Sequence, residues 1–285
     1  MKKFLFLLPL VLIVLFSCQK EYSLENGGNI NNPNIIGTDC RITKIVYLDS
    51  AGTTGIGSIA DIINTTDQST SITIFDSITN SIDYLANPVY YGDTIQIDAQ
   101  QYYLINPSTK NIRQFHGVID PNTPGSPQID IRFTYDASGY LINKTYSLTG
   151  SPGFPYQSVD YTYTGGNMTH MVSNDLTVGD KISDADINYY SIISPVNYLY
   201  IFPDEGNYSP FTQFFNFGKK PVNAVQSLKI KYYDPGNVLR DSAISTFTNY
   251  TKSVDGYILS VVMNGSNQPS IPAPAGKMLF SYKCK

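Results

Sequence analysis

The sequence predicts an all-β fold: a single-domain antiparallel β-meander that forms a curved sheet or an open barrel-like structure. Its composition is the first indication, because Tyr is plentiful and Glu occurs only at Glu21, Glu25 and Glu205. Glu favours helices, whereas the abundant Asp and Asn favour turns and caps. The other two indications are short segments that alternate apolar and polar residues, and Gly-containing turns between them.

The alternating segments predict strands with one buried face, because successive side chains of a strand point to opposite faces. The clearest is residues 128–136, where Ile129, Ile131, Phe133 and Tyr135 share one parity. At residues 40–49 the shared parity places Cys40, Ile42, Val46 and Leu48 on the buried face, with Lys44 interrupting them. Further predicted inward pairs are Ile72 with Ile74 and Ile95 with Ile97. Similar segments continue to residue 284.

Four turns predict hairpins. In residues 135–141, a Tyr-Asp strand end is followed by Gly139, which supplies a positive φ, and then by a new apolar run. Variants of this turn lie at residues 163–168, 233–239 and 253–259. Their spacing is irregular, so neither a propeller nor a solenoid is predicted. Instead, neighbouring strands in the sequence should pair.

One segment departs from this pattern. Residues 198–221 are rich in aromatic residues and Pro, including Phe211, Phe214, Phe215 and Phe217. We expect a short helical turn or a loop laid across the open face of the sheet. It either fills the core or presents an aromatic patch to a ligand.

The first 18 residues predict export. Lys2 and Lys3 precede an uncharged apolar run of about 20 Å at 1.5 Å per residue, too short to cross a bilayer. Residues 15–18 resemble the lipobox of bacterial lipoproteins, although Phe16 is bulkier than the usual residue. The resemblance implies a signal peptide at residues 1–17 and diacylglycerol plus an N-acyl chain on Cys18. An ordinary secretory signal is the alternative.

The mature chain should then have two parts, an acylated flexible tether at residues 18–39 and an all-β domain at residues 40–285. The tether is rich in Gly, Asn and Pro. Its first residues, 19–25, resemble the Lys-plus-acid signal that sends some Bacteroidetes lipoproteins to the outer face of the outer membrane. A solvated spacer on the periplasmic face is the other interpretation.

Net charge argues against a nucleic-acid partner. The chain has 19 basic and 23 acidic residues, and residues 1–17 remove two lysines and no acid, so the mature protein carries about −6. Only four arginines occur. No basic patch is therefore available to neutralise phosphates.

Several segments together resemble the secreted Bacteroidetes lipoproteins of unknown function that carry Tyr-Asp-type β-hairpin repeats. They are residues 17–23, 40–45, 133–141, 218–225, 254–260 and 280–284. The resemblance spans most of the mature chain and implies an outer-membrane-associated β-sheet protein. It brings no catalytic or binding residue with it.

With Cys18 acylated, Cys40 and Cys284 remain at the two ends of the domain. A non-cytosolic compartment permits a disulfide, and two cysteines allow one pairing. That pairing would place the first and last strands side by side. Free buried thiols are the alternative.

No catalytic or cofactor site emerges from the residue pattern. His116 and His170 each stand alone and are best explained as strand residues. Asp180, Asp184 and Asp186 with Asn188 could offer oxygen ligands to Ca²⁺, but the Gly and Glu of an EF-type loop are missing, which favours a solvated strand face or turn. Tyr161 and Tyr163 suit sheet packing as well as sugar stacking.

These observations predict a lipid-anchored, non-enzymatic protein of the outer membrane with a binding or structural role. We expect no cofactor and no metal, and the membrane, a glycan or an envelope protein as partner. The alternative is a glycan hydrolase that uses paired aspartates.

Overall fold

The computed structural model describes residues 40–64, 68–119, 123, 125–151, 153–193, 203–205, 210–265 and 276–284. The predicted signal peptide (1–17), the predicted acylation site Cys18 and the predicted tether (18–39) lie outside these residues. The strands are β1 (Cys40–Leu48), β2 (Gly55–Ile63), β3 (Ser69–Asp76), β4 (Ser81–Ala86), β5 (Val89–Tyr91), β6 (Thr94–Gln96), β7 (Tyr102–Ile105), β8 (Ile112–Val118), β9 (Gln128–Tyr135), β10 (Leu141–Leu148), β11 (Pro155–Thr164), β12 (Asn167–Asp175), β13 (Lys181–Ile193), β14 (Asn223–Asp234), β15 (Val238–Lys252), β16 (Ile258–Gly265) and β17 (Gly276–Cys284).

All 17 strands belong to one antiparallel sheet. Ladders join consecutive strands from β1 to β4 and from β5 to β17, and one further ladder joins β1 to β17. The four predicted hairpins are present as β9–β10, β11–β12, β14–β15 and β15–β16. The sheet is not closed into a barrel. The predicted all-β meander is therefore confirmed.

One hydrophobic core lies on the inner face of this sheet. The core includes residues of strands from β1 to β17, so the sheet must curve around it. Ile72, Ile95 and Phe133 point inward as the alternation predicts. The outer face carries the polar residues of the same strands, such as Asp130 and Asp186, which pair with histidines.

The predicted inward face of β1 is wrong in its second half. Ile45 and Tyr47 are buried there, whereas Val46 and Leu48 are not. The register with β17 shifts between Ile42 and Lys44, which marks a β-bulge. One extra residue in a strand moves every later side chain to the other face. Cys40 and Ile42 precede the bulge and are buried as predicted.

The aromatic segment fills the inner face of the sheet. Its described part contains a 3₁₀ turn at Pro203–Glu205 and helix α1 at Pro210–Phe214. Phe214, Phe215 and Phe217 are buried in the core. The predicted core filling is confirmed for these residues, and we call residues 203–205 and 210–222 the plug.

The two ends of the domain are joined covalently. Cys40 and Cys284 are register partners in the β1–β17 ladder and form a disulfide, with their Cα atoms 3.9 Å apart. The pairing is the predicted one, and the first and last strands are neighbours. We call the side of the sheet where β1 begins and β17 ends the cysteine end, and the side where β1 ends and β17 begins the far end.

Near its C-terminal end the plug comes very close to the β9–β10 hairpin at Gly218. This residue has a φ of +87°, and a Cβ added to it would lie 2.5 Å from the Gly139 carbonyl oxygen and 2.8 Å from a Tyr135 ring carbon. Replacing Gly218 by Ala should lower the free energy of unfolding by about 2–4 kcal/mol, the sum of backbone strain and overpacking. Thermal or urea unfolding measures this.

A matched control separates the two contributions. Gly150 has a similar φ of +83°, but a Cβ there meets nothing within 4 Å. Gly150→Ala should therefore cost only the backbone strain, about 1–2 kcal/mol. Equal losses in the two variants would show that the contact with Gly139 and Tyr135 is unimportant.

Candidate functional site

A buried ion pair fixes the plug to the sheet. Lys144 on β10 is 0% exposed, and its Nζ lies 3.1 Å from Asp204 Oδ2 in the 3₁₀ turn. The Tyr161 hydroxyl on β11 donates to the other oxygen, Asp204 Oδ1, at 2.7 Å. Both carboxylate oxygens are therefore satisfied, as a buried charge requires.

A second polar cluster lies where helix α1 meets β1, β2 and β3. The Arg41 guanidinium bonds to the Asp61 carboxylate and, at 3.4 Å, to the carbonyl oxygen of Phe214. The Ser69 hydroxyl donates to Asp61 Oδ2 at 3.0 Å. Arg41 thus links the sheet to the last residue of the helix.

Burial changes the pKa values of two residues in and near this cluster, Asp61 and Lys220. It raises the pKa of Asp61, although Arg41 and Ser69 oppose the shift. Burial, helped by the charge of Arg41, lowers the pKa of Lys220 to about 7. Asp61 Oδ1 is buried without a hydrogen-bond partner in the described part of the chain. Because Asp61 pairs with Arg41, which in turn bonds to the Phe214 carbonyl oxygen, we interpret the cluster as an anchor for helix α1.

Aromatic contacts complete the attachment of the plug. Phe211 lies 5.8 Å from the ring of Tyr84 on β4 and 5.9 Å from that of Tyr103 on β7. Phe217 meets Phe133 at 5.2 Å between ring centroids. The Asn216 carbonyl also accepts a hydrogen bond from the Ile112 amide. The plug therefore contacts β4, β7, β8 and β9 through these residues.

The predicted acidic cluster is spread over the outer face and an adjoining turn. Asp184, Asp186 and Asn188 share one face of β13, but each has its own partner: Asp186 faces His170 at 2.9 Å, and Asn188 bonds to Ser227. Asp180 instead accepts the amide of Gly236. Among the described residues, no three His, Cys, Asp or Glu side chains are grouped to hold a metal.

The prediction of a solvated face is wrong for Asp184, which is buried. Lys181 Nζ lies 3.0 Å and Lys231 Nζ 3.4 Å from its oxygens, and the Tyr233 hydroxyl donates to it at 2.7 Å. Burial would raise the pKa of Asp184, but these partners outweigh it and the pKa is lowered. The bond to Asp184 raises the pKa of Tyr233 to about 12.

These contacts do not favour a glycosidase pair of Asp184 and Asp186. Such a pair needs one carboxyl group with a raised pKa that can act as general acid. The lowered pKa of Asp184 keeps it ionised, and its oxygens already face two lysines and a tyrosine. A cross-strand ion-pair network explains these residues better.

Both histidines are strand residues, as predicted, and each faces a carboxylate. His116 on β8 has its Nδ1 3.0 Å from Asp130 and its ring stacked on Tyr102 at 4.8 Å. The Thr149 hydroxyl lies 3.5 Å from the same Nδ1. A catalytic triad needs the hydroxyl at the other ring nitrogen, so these three residues do not form one.

The two tyrosines considered for sugar stacking pack against the protein. Tyr161 is in the core and bonds to Asp204. Tyr163 meets Tyr140 at 4.8 Å between ring centroids, and Lys219 Nζ lies 5.5 Å from the centre of the Tyr140 ring. Packing is thus the better explanation of both.

Sequence reasoning missed both polar anchors of the plug. A usable signal existed for Lys144, which pairs with the predicted inward residue Phe133 once the β9–β10 register is known. Asp204 and Asp61 carried no comparable signal. In the part of the chain that the structure describes, no helix is long and apolar enough to cross a membrane.

Comparison with known proteins supports the fold. No protein-family model matches the chain, and no curated protein is similar to it in sequence. Its structure is similar to a porin-like protein from Bacteroides uniformis, with a TM-score of 0.58, 13% identity, and coverage of 85% of this chain and 98% of that one. A porin-like protein from Bacteroides vulgatus follows with a TM-score of 0.46, 13% identity, and coverage of 86% and 99%. At this identity the Bacteroides uniformis likeness shows a shared fold and nothing further.

Proposed function

We propose that this protein is a lipid-anchored component of the bacterial outer membrane, with a non-enzymatic binding or structural role. The observation that carries the proposal is the order of residues 1–18, which runs from two lysines through an uncharged apolar stretch to Ser17 and Cys18. That order is typical of a leader that is removed in front of an acylated cysteine.

The polarity of the sheet supports attachment through lipid. Strands that span a membrane carry apolar residues outward and polar residues inward. Here the apolar core is inside, and His170, Asp186, Asp184 and Lys231 cross the outer face from β12 to β14. Burying this network in hydrocarbon would be costly, so attachment to the membrane would have to come from a group outside the sheet, such as a lipid on Cys18.

Two further observations support an envelope location. The disulfide between Cys40 and Cys284 suits an oxidising compartment outside the cytosol. The porin-like description of the Bacteroides uniformis protein agrees with an outer-membrane setting for this fold. A role without catalysis agrees with the ionic and packing contacts of the histidines, Asp184 and Asp61.

Replacing Cys18 by Ser should release the protein from the membrane fraction. Two or three acyl chains hold a protein stably, whereas none leaves only weak surface contacts. Labelled palmitate should enter the wild type and not Cys18→Ser, and mass spectrometry should find the acyl chains on the N-terminal peptide. A Cys40→Ala, Cys284→Ala variant is the control and should keep the label. An unmodified mature wild type in the soluble fraction would refute the proposal.

The face of the membrane and the kind of ligand need separate measurements. Proteolysis of intact cells should degrade the domain if it is displayed on the surface and spare it if it is periplasmic. A glycan array tests carbohydrate binding with the purified mature chain. Hydrolysis of any arrayed glycan that is lost on replacing Asp184 or Asp186 by Asn would overturn the non-enzymatic role.

A further inference from the structure

The far end of the sheet carries exposed apolar side chains on consecutive turns. Because β17 ends at the cysteine end, antiparallel pairing places the ends of β8, β10, β12 and β14 at the far end. Phe154 is 83% exposed and Val178 69% exposed. With them, the far rim consists of Ile119, Phe154, Leu176, Val178, Val238 and Leu239, all exposed.

Hydrogen bonds connect the rim from the β10–β11 turn to the β14–β15 turn. The Leu176 amide donates to the Tyr156 carbonyl, which ties the β12–β13 turn to the start of β11. The Gly236 amide and the Asn237 side chain both donate to Asp180, which ties the same turn to the β14–β15 turn. The apolar tips are therefore held side by side by the scaffold.

The acidic residues of these turns are occupied by local hydrogen bonds. Asp175 accepts bonds from the amide and the hydroxyl of Thr177, and Asp180 accepts those from Gly236 and Asn237. The nearby cations are balanced too, since Lys181 faces Asp184 and Arg240 faces Asp234. The rim therefore presents apolar tips over a base whose charged side chains already have partners within the protein.

We propose that the far rim inserts its apolar side chains into the surface of a lipid bilayer. Aliphatic and Phe side chains that project singly from adjacent turns suit the headgroup–acyl boundary, where each can be buried separately. A glycan would favour flat aromatic platforms, and the rim offers one Phe among Val, Leu and Ile. The proposal concerns the folded domain and does not depend on acylation of Cys18.

Chain length is compatible with contact on the anchoring membrane itself. The 22 residues from Cys18 to Asp39 can span at most about 75 Å when extended. The longest strand, β15, has 15 residues and a length of about 50 Å. The domain can therefore turn its far rim toward the same bilayer that holds Cys18.

The absence of Trp from the sequence allows a direct test. In a leaderless mature chain carrying Cys18→Ser, a single Phe154→Trp substitution reports on the rim. A Val254→Trp substitution in the same chain is the matched control, because Val254 is fully exposed in a turn at the cysteine end. Vesicles of phosphatidylethanolamine and phosphatidylcholine, some with brominated acyl chains, are the probe.

We expect vesicles to shift the Phe154→Trp emission to shorter wavelength and brominated chains to quench it, with neither effect at residue 254. Replacing Val178 and Val238 by Ser in the Phe154→Trp chain should weaken vesicle binding by about tenfold per side chain. Because insertion is apolar, raised salt should not weaken it. An unshifted Phe154→Trp spectrum, or equal shifts at both sites, would overturn the proposal.

Two measurements distinguish lipid insertion from loss of folding and from binding to a protein partner. Circular dichroism and the unfolding midpoint establish that the Ser variants are folded, which is expected because the replaced side chains are exposed. A photocrosslinker at residue 154 that captures an envelope protein in cells, with no vesicle contact in vitro, would overturn the lipid assignment in favour of a protein partner. Failure of Cys18 acylation would leave the vesicle result unaffected.

Discussion

Replacing Lys144 by Met is expected to lower the free energy of unfolding by about 3–5 kcal/mol. The substitution leaves the Asp204 carboxylate buried against the core without its cation, and an uncompensated buried charge costs that much. Urea unfolding at neutral pH, followed by circular dichroism, measures the loss. The effect should exceed that of any single substitution on the outer face.

Two comparison variants isolate the ion pair. Lys44→Met removes an exposed lysine from β1 and should change stability little. Combining Lys144→Met with Asp204→Leu removes both charges and should recover much of the loss, because an apolar pair can replace a buried ion pair. If the double variant is as unstable as the single one, the lost stability comes from packing around Lys144 and Tyr161 rather than from charge.

The architecture was predictable because its signals are local. Alternation in residues 128–136 reports one buried face directly, and the Gly-containing turns report which strands are neighbours. An antiparallel meander needs little more information than that. The four Phe residues in 211–217 likewise marked an unusual aromatic segment, and the structure decides for core filling at Phe214, Phe215 and Phe217.

The errors came from features that no local pattern encodes. The bulge at Thr43 reverses the parity of β1, and the only hint in the sequence was Lys44, which interrupts the predicted inward face. The Lys144–Asp204 pair joins residues 60 positions apart, and the Arg41–Asp61 pair depends on where helix α1 settles. Such contacts form only when the plug packs against the sheet.

The far rim could not be predicted from the sequence either. Leu176, Val178, Val238 and Leu239 flank ordinary turn sequences and would each be taken for the end of a buried strand. Only the topology shows that these turns lie at one end of the sheet. Only the exposed fraction of each side chain shows that these residues face solvent.

Loss of the Cys40–Cys284 disulfide is expected to lower the free energy of unfolding by about 5 kcal/mol. The crosslink spans 244 residues, and in the chain-entropy model a loop of that length restricts the unfolded chain by this amount. Cys40→Ala, Cys284→Ala and the double variant should all lose a similar amount, because either substitution opens the same loop. Guanidinium unfolding of the mature chain measures it.

Reduced wild type is the control that separates the crosslink from the side chains. It keeps both cysteines and should unfold near the midpoint of the double variant, since packing of Cys40 contributes little beside the restriction of the unfolded chain. Reductant should then leave the double variant unchanged. A double variant as stable as the oxidised wild type would mean that the β1–β17 ladder alone holds the first and last strands together.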